Sequence, residues 1–349
     1  MQATVFHGTR DIRVETVPDP TIKQPTDAIV RVVNAAICGS DLWPYRGIST
    51  TWEAGDRIGH EFIGVVEETG KETKRVKRGD FVAAPFSYSD GSCDFCHDGL
   101  YTSCRHSGFW GGDDEDGGQG QFVRVSYADA TLRPIPDAVA NDKNKRTSAL
   151  AITDVMSTGH HGCVRAGVHP GTTVAVIGDG AVGLCAVISA KRSKAERIIA
   201  IGHHADRLDL ARRFGATDVI DSSDPEAAQK INDMTNGGVR SVVEAVGSQA
   251  TLDLGVAIAR PGGTVSYVGL PFGVEKFDAR RLFSSNITIA GALAPVTAYL
   301  DELMADVANG TIDPSPVFTM RLPLERSPEG YAAMDKRETI KVVLDVSAV

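Results

Sequence analysis

The sequence predicts an α/β protein in two parts, one mostly β and one a doubly wound parallel sheet. Two observations predict it. Near residue 155 the chain changes from short β-branched runs broken by turns to apolar runs alternating with helical segments. At 349 residues it is also long for one hydrophobic core, so two domains follow.

In the first part, residues 28–33 and 61–66 are rich in β-branched side chains. Residues 81–84 follow Gly79-Asp80, and 121–125 alternate apolar with polar. In the second part, residues 172–177 form a continuous apolar strand, and a helix opens after 178–183 and runs to about 191. A strand at 197–201, a helix at 205–214 and strands at 218–220, 241–244 and 264–268 follow. Strands alternating with helices predict a parallel sheet covered on both faces. The last stretch mixes a helix (296–308) with a strand (340–346). The expected division is therefore 1–154 with 290–349, against 155–289.

Hydrophobic residues make up 42% and charged residues 23%, ordinary values for a globular chain. No run approaches the length of a membrane span, and no basic region followed by an apolar stretch marks a secretory signal. A net charge of −9 without a basic stripe excludes a general nucleic-acid binder. Three of the six cysteines cluster at Cys93, Cys96 and Cys104, while Cys38, Cys163 and Cys185 are dispersed. Without a signal, such clustering suggests metal rather than disulfides, and a reducing, cytoplasmic setting. Residues 111–120 are acidic and Gly-rich, but lack the spacing of a calcium loop and read as a solvated, mobile loop.

Gly178, Gly180 and Gly183 form G-x-G-x-x-G between a clear strand and a clear helix. There the glycines let the backbone approach a pyrophosphate seated on the helix N-terminus. This is the dinucleotide fingerprint of a Rossmann domain. An NAD-binding unit carries Asp or Glu about 20 residues on, for the ribose 2′-hydroxyl. Here Gly202 stands there, followed by His203, His204 and Arg207. That set removes a carboxylate's repulsion of a 2′-phosphate and offers donors, so NADP(H) is expected over NAD(H). The alternatives are that Asp206 reaches back, or that the two histidines are merely exposed.

A catalytic zinc needs about three protein ligands and an open position. Candidates are Cys38 in Cys38-Gly39-Ser40-Asp41, His60 in Gly59-His60-Glu61, and Asp154. Taken singly, each has an ordinary reading as a small apolar or surface residue.

Together these segments resemble the zinc-dependent alcohol dehydrogenases of the medium-chain dehydrogenase/reductase superfamily. Gly118-Gln119-Gly120-Gln121-Phe122 and Arg260-Pro261-Gly262-Gly263 extend the resemblance over nearly the whole chain. It implies a GroES-like catalytic domain beside the Rossmann domain. It also implies reversible hydride transfer between an alcohol, or a ketone or aldehyde, and NADP(H). By that similarity Cys38, His60 and Asp154 hold the catalytic zinc, and Glu61 stands beside the metal, able to exchange onto it. Asp154 as third ligand resembles the bacterial NADP-dependent secondary-alcohol branch, and thiolate plus carboxylate balance the charge of Zn²⁺. Ser40 matches the relay hydroxyl that moves the alcohol proton toward solvent, and Asp41 matches the acid that orients His60. Thr158 matches a residue packing near the nicotinamide. Lys341 falls where a basic residue meets the pyrophosphate, or is a surface lysine on a strand.

The cysteine lobe departs from the family's C-x₂-C-x₂-C-x₇-C structural zinc site. Cys93, Cys96 and Cys104 fit its last three positions and Asp90 takes the first, leaving either a zinc site with one carboxylate or three free thiols. Cys163 and Cys185 lie in apolar helical segments and read as inert. Trp43, Trp52, Phe86 and Trp110 either line a substrate pocket or pack the core. The resemblance also implies a homodimer or homotetramer acting on a small molecule. The rivals are a zinc polyol or amino-alcohol dehydrogenase using NAD, a zinc-free reductase of the same fold, and a nucleotide-binding protein without catalysis.

Overall fold

The structure is a computed structural model and describes residues 1–112 and 115–348. Asp113 and Asp114 of the acidic stretch lie outside the described residues. The chain forms two compact units, Met1–Asp154 with Pro295–Val349, and Val155–Ala294.

In the second unit, six parallel strands lie side by side. Their order is Asp218–Asp221, Arg197–Gly202, Thr173–Ile177, Val239–Glu244, Ala259–Tyr267 and Thr288–Gly291. Numbered along the chain this is 3-2-1-4-5-6, the order of a Rossmann sheet. The apolar runs are continuous because these strands are covered on both faces: Ala175, Ile177, Ile199, Val242 and Val265 belong to one buried cluster. The first strand leads into the helix Ala181–Arg192, whose last turn carries Lys191 and Arg192 against the negative helix end. Gly183 is obligatory here, since a Cβ on it would lie 1.9 Å from the Gly178 carbonyl oxygen. The expected return to the first domain at residue 290 is corrected to Pro295. Thr288–Gly291 hydrogen-bonds into this sheet as its edge strand and keeps residues 290–294 with it.

The first unit is built on a mixed seven-stranded sheet. Its path runs Met320–Pro323, Val342–Asp345, Ala28–Ile37, Glu61–Thr69, Phe81–Ala84 and Arg133–Pro134, with Phe122–Val125 pairing to Ala28–Ile37. Val342 pairs with Ile37 and Ala36 with Glu61, both antiparallel. The end of Ala28–Ile37 thus meets the beginnings of its two neighbours, and residues at those three tips gather at one end of the strands. Gly118 passes so close to Phe62 that a Cβ would sit 2.1 Å from the ring, which accounts for glycine in that turn. The helix expected over 296–308 is a 3₁₀ turn, Val296–Ala298, followed by the helix Leu300–Asn309.

The reading of the acidic stretch as a solvated loop is corrected for its second half. Glu115 is buried, accepting from Arg124 Nη2 at 2.6 Å and Ser126 Oγ at 2.7 Å, while Arg124 also reaches Asp27. Asp116 pairs with Arg57 at 2.7 Å. A buried carboxylate persists only when paired and hydrogen-bonded, and this one is both. No helix among the described residues is long and apolar enough to cross a membrane.

Candidate active site and cofactor loop

Cys38 follows the strand Ala28–Ile37, His60 and Glu61 open Glu61–Thr69, and Lys341 directly precedes Val342–Asp345. The register described above therefore brings all four together. Asp154 joins them from the end of the helix Lys143–Ile152, where the Phe86 amide donates to the Thr153 carbonyl at 3.0 Å. Gly59, at φ +96, gives the chain its turn into His60, and a Cβ there would collide with Gln119 at 2.4 Å.

The ligand atoms of Cys38, His60, Glu61 and Asp154 lie within 4.8 Å of one another. The Cys38 thiol donates to Asp154 Oδ2 at 3.2 Å, and His60 Nε2 is 3.4 Å from the same oxygen. Zinc with bonds of about 2.0–2.3 Å in a tetrahedron has ligand-to-ligand edges of about 3.3–3.8 Å. The 3.4 Å separation falls within that range and the 3.2 Å one just below it, so the donor set fits the ion with a small opening. His60 Nδ1 lies 3.2 Å from Asp41 Oδ1, leaving Nε2 for the metal. Asp41 is itself held by the Cys38 amide at 3.0 Å.

The buried groups of the cluster perturb one another strongly. Burial and the Asp154 carboxylate push the Cys38 thiol up to about 11. Burial works against charge on His60, but Asp41 and Cys38 outweigh it and hold the ring well above the usual imidazole range. Burial likewise works against charge on Asp154, yet His60 pulls its carboxyl below the ordinary value. Glu61 Oε2 is buried without a hydrogen-bond partner, while Oε1 accepts from Lys341 Nζ at 2.5 Å.

Lys341 is a correction: it is neither a surface lysine nor open to a pyrophosphate. It is 1% exposed, with its ammonium bound to Glu61 and to the Ile37 carbonyl at 3.2 Å. Ser40 sits half-buried in the turn between Cys38 and Asp41. Sequence reasoning missed Gln119 and Tyr331. Tyr331 donates to Gln119 Oε1 at 3.0 Å and Gln119 donates to the Ala36 carbonyl at 3.1 Å, bracing the strand beneath Cys38. Only the G-x-G run around Gln119 hinted at them. Among the aromatics, Trp110 packs on Phe62 in the core with its indole donating to the Pro85 carbonyl. Phe86 meets the His60 ring edge-on at 6.4 Å.

A second cluster gathers Asp90, Cys93, Cys96 and Cys104, again within 4.8 Å. Asp90 Oδ1 lies 3.3 Å from Cys104 Sγ and 3.5 Å from Cys96 Sγ, and Cys93 Sγ is 3.6 Å from Cys96 Sγ. These distances are compatible with the edges of a zinc tetrahedron. Backbone donation from Arg105 draws the Cys93 thiol down to about 7. His106, unremarked in the sequence, lies with Nδ1 2.6 Å from Asp90 Oδ2 and orients that carboxylate.

In the second unit, Thr158 is buried on the helix Val155–Arg165. The glycine loop caps the helix Ala181–Arg192 at Gly180. The expected vacancy at the end of the second strand is corrected. Asp179, the residue between the first two glycines, fills it: Oδ2 accepts from the amides of His203 and His204 at 2.8 and 2.9 Å. A Cβ on Gly202 would lie 2.5 Å from that same oxygen, so glycine makes room for the carboxylate. Asp206 is exposed and does not reach back, His203 is exposed, and Arg207 is buried.

Known proteins resemble this chain over nearly its whole length. The alcohol dehydrogenase GroES-like domain matches residues 24–137, and the zinc-binding dehydrogenase domain matches 181–309. An uncharacterised zinc-type alcohol dehydrogenase-like protein of Bacillus subtilis is 32% identical, over 99% of this chain and 100% of its own. The solved alcohol dehydrogenase of Thermus sp. ATN1 is 35% identical with a TM-score of 0.94, covering 99% of this chain and 100% of that one. A zinc-binding dehydrogenase from Sinorhizobium meliloti, solved bound to NADP, is 25% identical with a TM-score of 0.86, covering 99% and 98%. This chain belongs to the zinc-dependent alcohol dehydrogenases of the medium-chain dehydrogenase/reductase superfamily, NAD(P)-dependent oxidoreductases.

Proposed function

We propose that the chain interconverts a small alcohol and its ketone or aldehyde, with the catalytic zinc held by Cys38, His60 and Asp154. The observation that carries this reading is Asp154 Oδ2 standing 3.2 Å from Cys38 Sγ and 3.4 Å from His60 Nε2 within one cluster. When bound, zinc supplies Lewis acidity toward the alcohol or carbonyl oxygen, and the nicotinamide supplies the hydride acceptor or donor. Asp41 holds the His60 ring in its ligating tautomer. Ser40, between two site residues and partly open to solvent, moves the hydroxyl proton. Lys341 neutralises Glu61, so that thiolate and Asp154 carboxylate alone balance the metal charge.

Asp90, Cys93, Cys96 and Cys104 hold a second, structural zinc in this reading, the loop at Gly178, Gly180 and Gly183 receives the dinucleotide, and Thr158 packs near its nicotinamide. The NADP preference expected from the sequence is not part of it, because its premise was an empty place that Asp179 occupies. Assembly as a homodimer or homotetramer is supported by the edge strand Thr288–Gly291 and by Phe283, which is 87% exposed beside it in sequence. Chelation with dipicolinate tests the central claim. Alcohol-dependent NAD(P)H formation should vanish with the metal and return with Zn²⁺; turnover that survives metal removal overturns it.

A further inference from the structure

The residue between the first two glycines of a dinucleotide fingerprint ordinarily contributes only backbone. In this chain it is Asp179, and its side chain crosses to the end of the next strand. Oδ2 there takes three hydrogen bonds: from the His203 amide at 2.8 Å, the His204 amide at 2.9 Å and His204 Nδ1 at 3.0 Å. Arg207 Nη1 lies 3.9 Å from Oδ1. The side chain is 8% exposed. Burial works against its charge, but the two amides and the His204 ring outweigh it and hold the carboxyl below its ordinary range. Asp179 is therefore an anion lodged among the donors that a nucleotide's 2′-phosphate would need: two amides at the start of the helix Ala205–Phe214, a histidine and an arginine.

We propose that Asp179 reads the adenosine ribose and selects NAD(H) against NADP(H). It takes over the task of the missing acid at position 202, from one loop earlier in the chain. Oδ1 accepts none of the three hydrogen bonds on Oδ2, and so can accept from a 2′-hydroxyl at the strand end, where a ribose-binding acid stands in this fold. A 2′-phosphate in the same place meets a like charge that already holds its donors. Gly202 belongs to the same device, because any side chain there would strike the Asp179 carboxylate. The inference rests on the reading that this loop binds a nicotinamide dinucleotide.

Calorimetric titration with ADP-ribose and 2′-phospho-ADP-ribose tests it without turnover. The wild type should bind ADP-ribose at least about tenfold more tightly, the factor that about 1.4 kcal/mol represents. Asp179→Asn keeps the shape and removes the charge. It should lower that ratio by at least about tenfold, mainly through tighter binding of the phosphorylated ligand. Asp179→Ser provides the same comparison if the asparagine variant fails to fold. A wild type preferring 2′-phospho-ADP-ribose, or folded variants with an unchanged ratio, overturns the assignment while leaving dinucleotide binding intact. A wild type binding neither ligand overturns both.

Discussion

Lys341 Nζ stands 2.5 Å from Glu61 Oε1, with both side chains withdrawn from solvent at 1% and 0% exposure. Burial works against the ammonium, but Glu61, Cys38 and Asp154 together hold it charged above the ordinary lysine range. The pair comes from strand tips 280 residues apart in sequence, joined because both strands flank Ala28–Ile37. It leaves Glu61 Oε2 buried without a hydrogen-bond partner while the carboxylate's charge is balanced by the ammonium on Oε1.

Breaking this pair from one side should cost far more than removing both partners. Lys341→Met leaves a buried, unpaired carboxylate, and losing one partner of such a pair typically costs about 3–5 kcal/mol. Lys341→Met with Glu61→Gln should recover most of the loss. Urea unfolding of the zinc-loaded proteins measures it. Single and double variants of equal stability would show that the pair carries no coupling.

Ser40→Ala should slow alcohol oxidation by about 10²–10⁴-fold, the usual weight of a positioned proton-transfer group. Zinc content should stay unchanged, since the hydroxyl is not part of the proposed ligand set. Initial rates from pH 6 to 9 with metal analysis decide it; a loss below about threefold across that range removes Ser40 from proton transfer.

What the sequence showed and concealed divides along the range of the interaction. The Rossmann strands were legible because two-sided burial makes residues 174–177 and 198–201 apolar throughout. Cys38, His60, Asp154 and the cysteine lobe were legible as candidates, because residue types that can hold a metal recur there at short spacing or in recognisable segments, and the structure gathers each set. Lys341 was misplaced because a lone lysine ahead of a strand gives no sign of a Glu61 brought beside it by two antiparallel pairings. Asp179 was passed over for a similar reason: it occupied a variable position of a glycine motif, and its partners lie 24 and 25 residues away. Glu115 looked solvated because its partner Arg124 sits in an alternating strand whose inward face admits an arginine only as part of a buried network.

Purified wild type should carry two zinc ions per chain. Asp90→Ala should leave one, with the cysteine lobe loosened and thiols newly reactive to a disulfide reagent. Cys38→Ser should abolish turnover and lose the other ion, while nucleotide binding persists. Mass-spectrometric metal counting separates these outcomes. Unchanged zinc in Asp90→Ala would show that the carboxylate is no ligand, and a near wild-type rate with full zinc in Cys38→Ser would remove Cys38 from the site.

His161 offers a test of the second unit by pH. It is buried on the helix Val155–Arg165, and burial, with Arg165 and His160 adding like charge, draws its pKa down to about 4. An unfolded histidine titrates near 6.5. The unfolded chain therefore binds this proton first, so the neutral ring's contribution is complete above about pH 6.5 and is lost as pH falls toward 4. Between those values one such group tilts stability by up to about 1.4 kcal/mol per pH unit. His161→Gln removes the titration while keeping a polar side chain of similar reach. Chemical unfolding of both proteins at pH 7, 6 and 5 should show the wild type losing stability faster than the variant. Parallel curves would mean that the His161 ring is free to protonate in the folded chain, and that its burial is relieved by local opening of the helix.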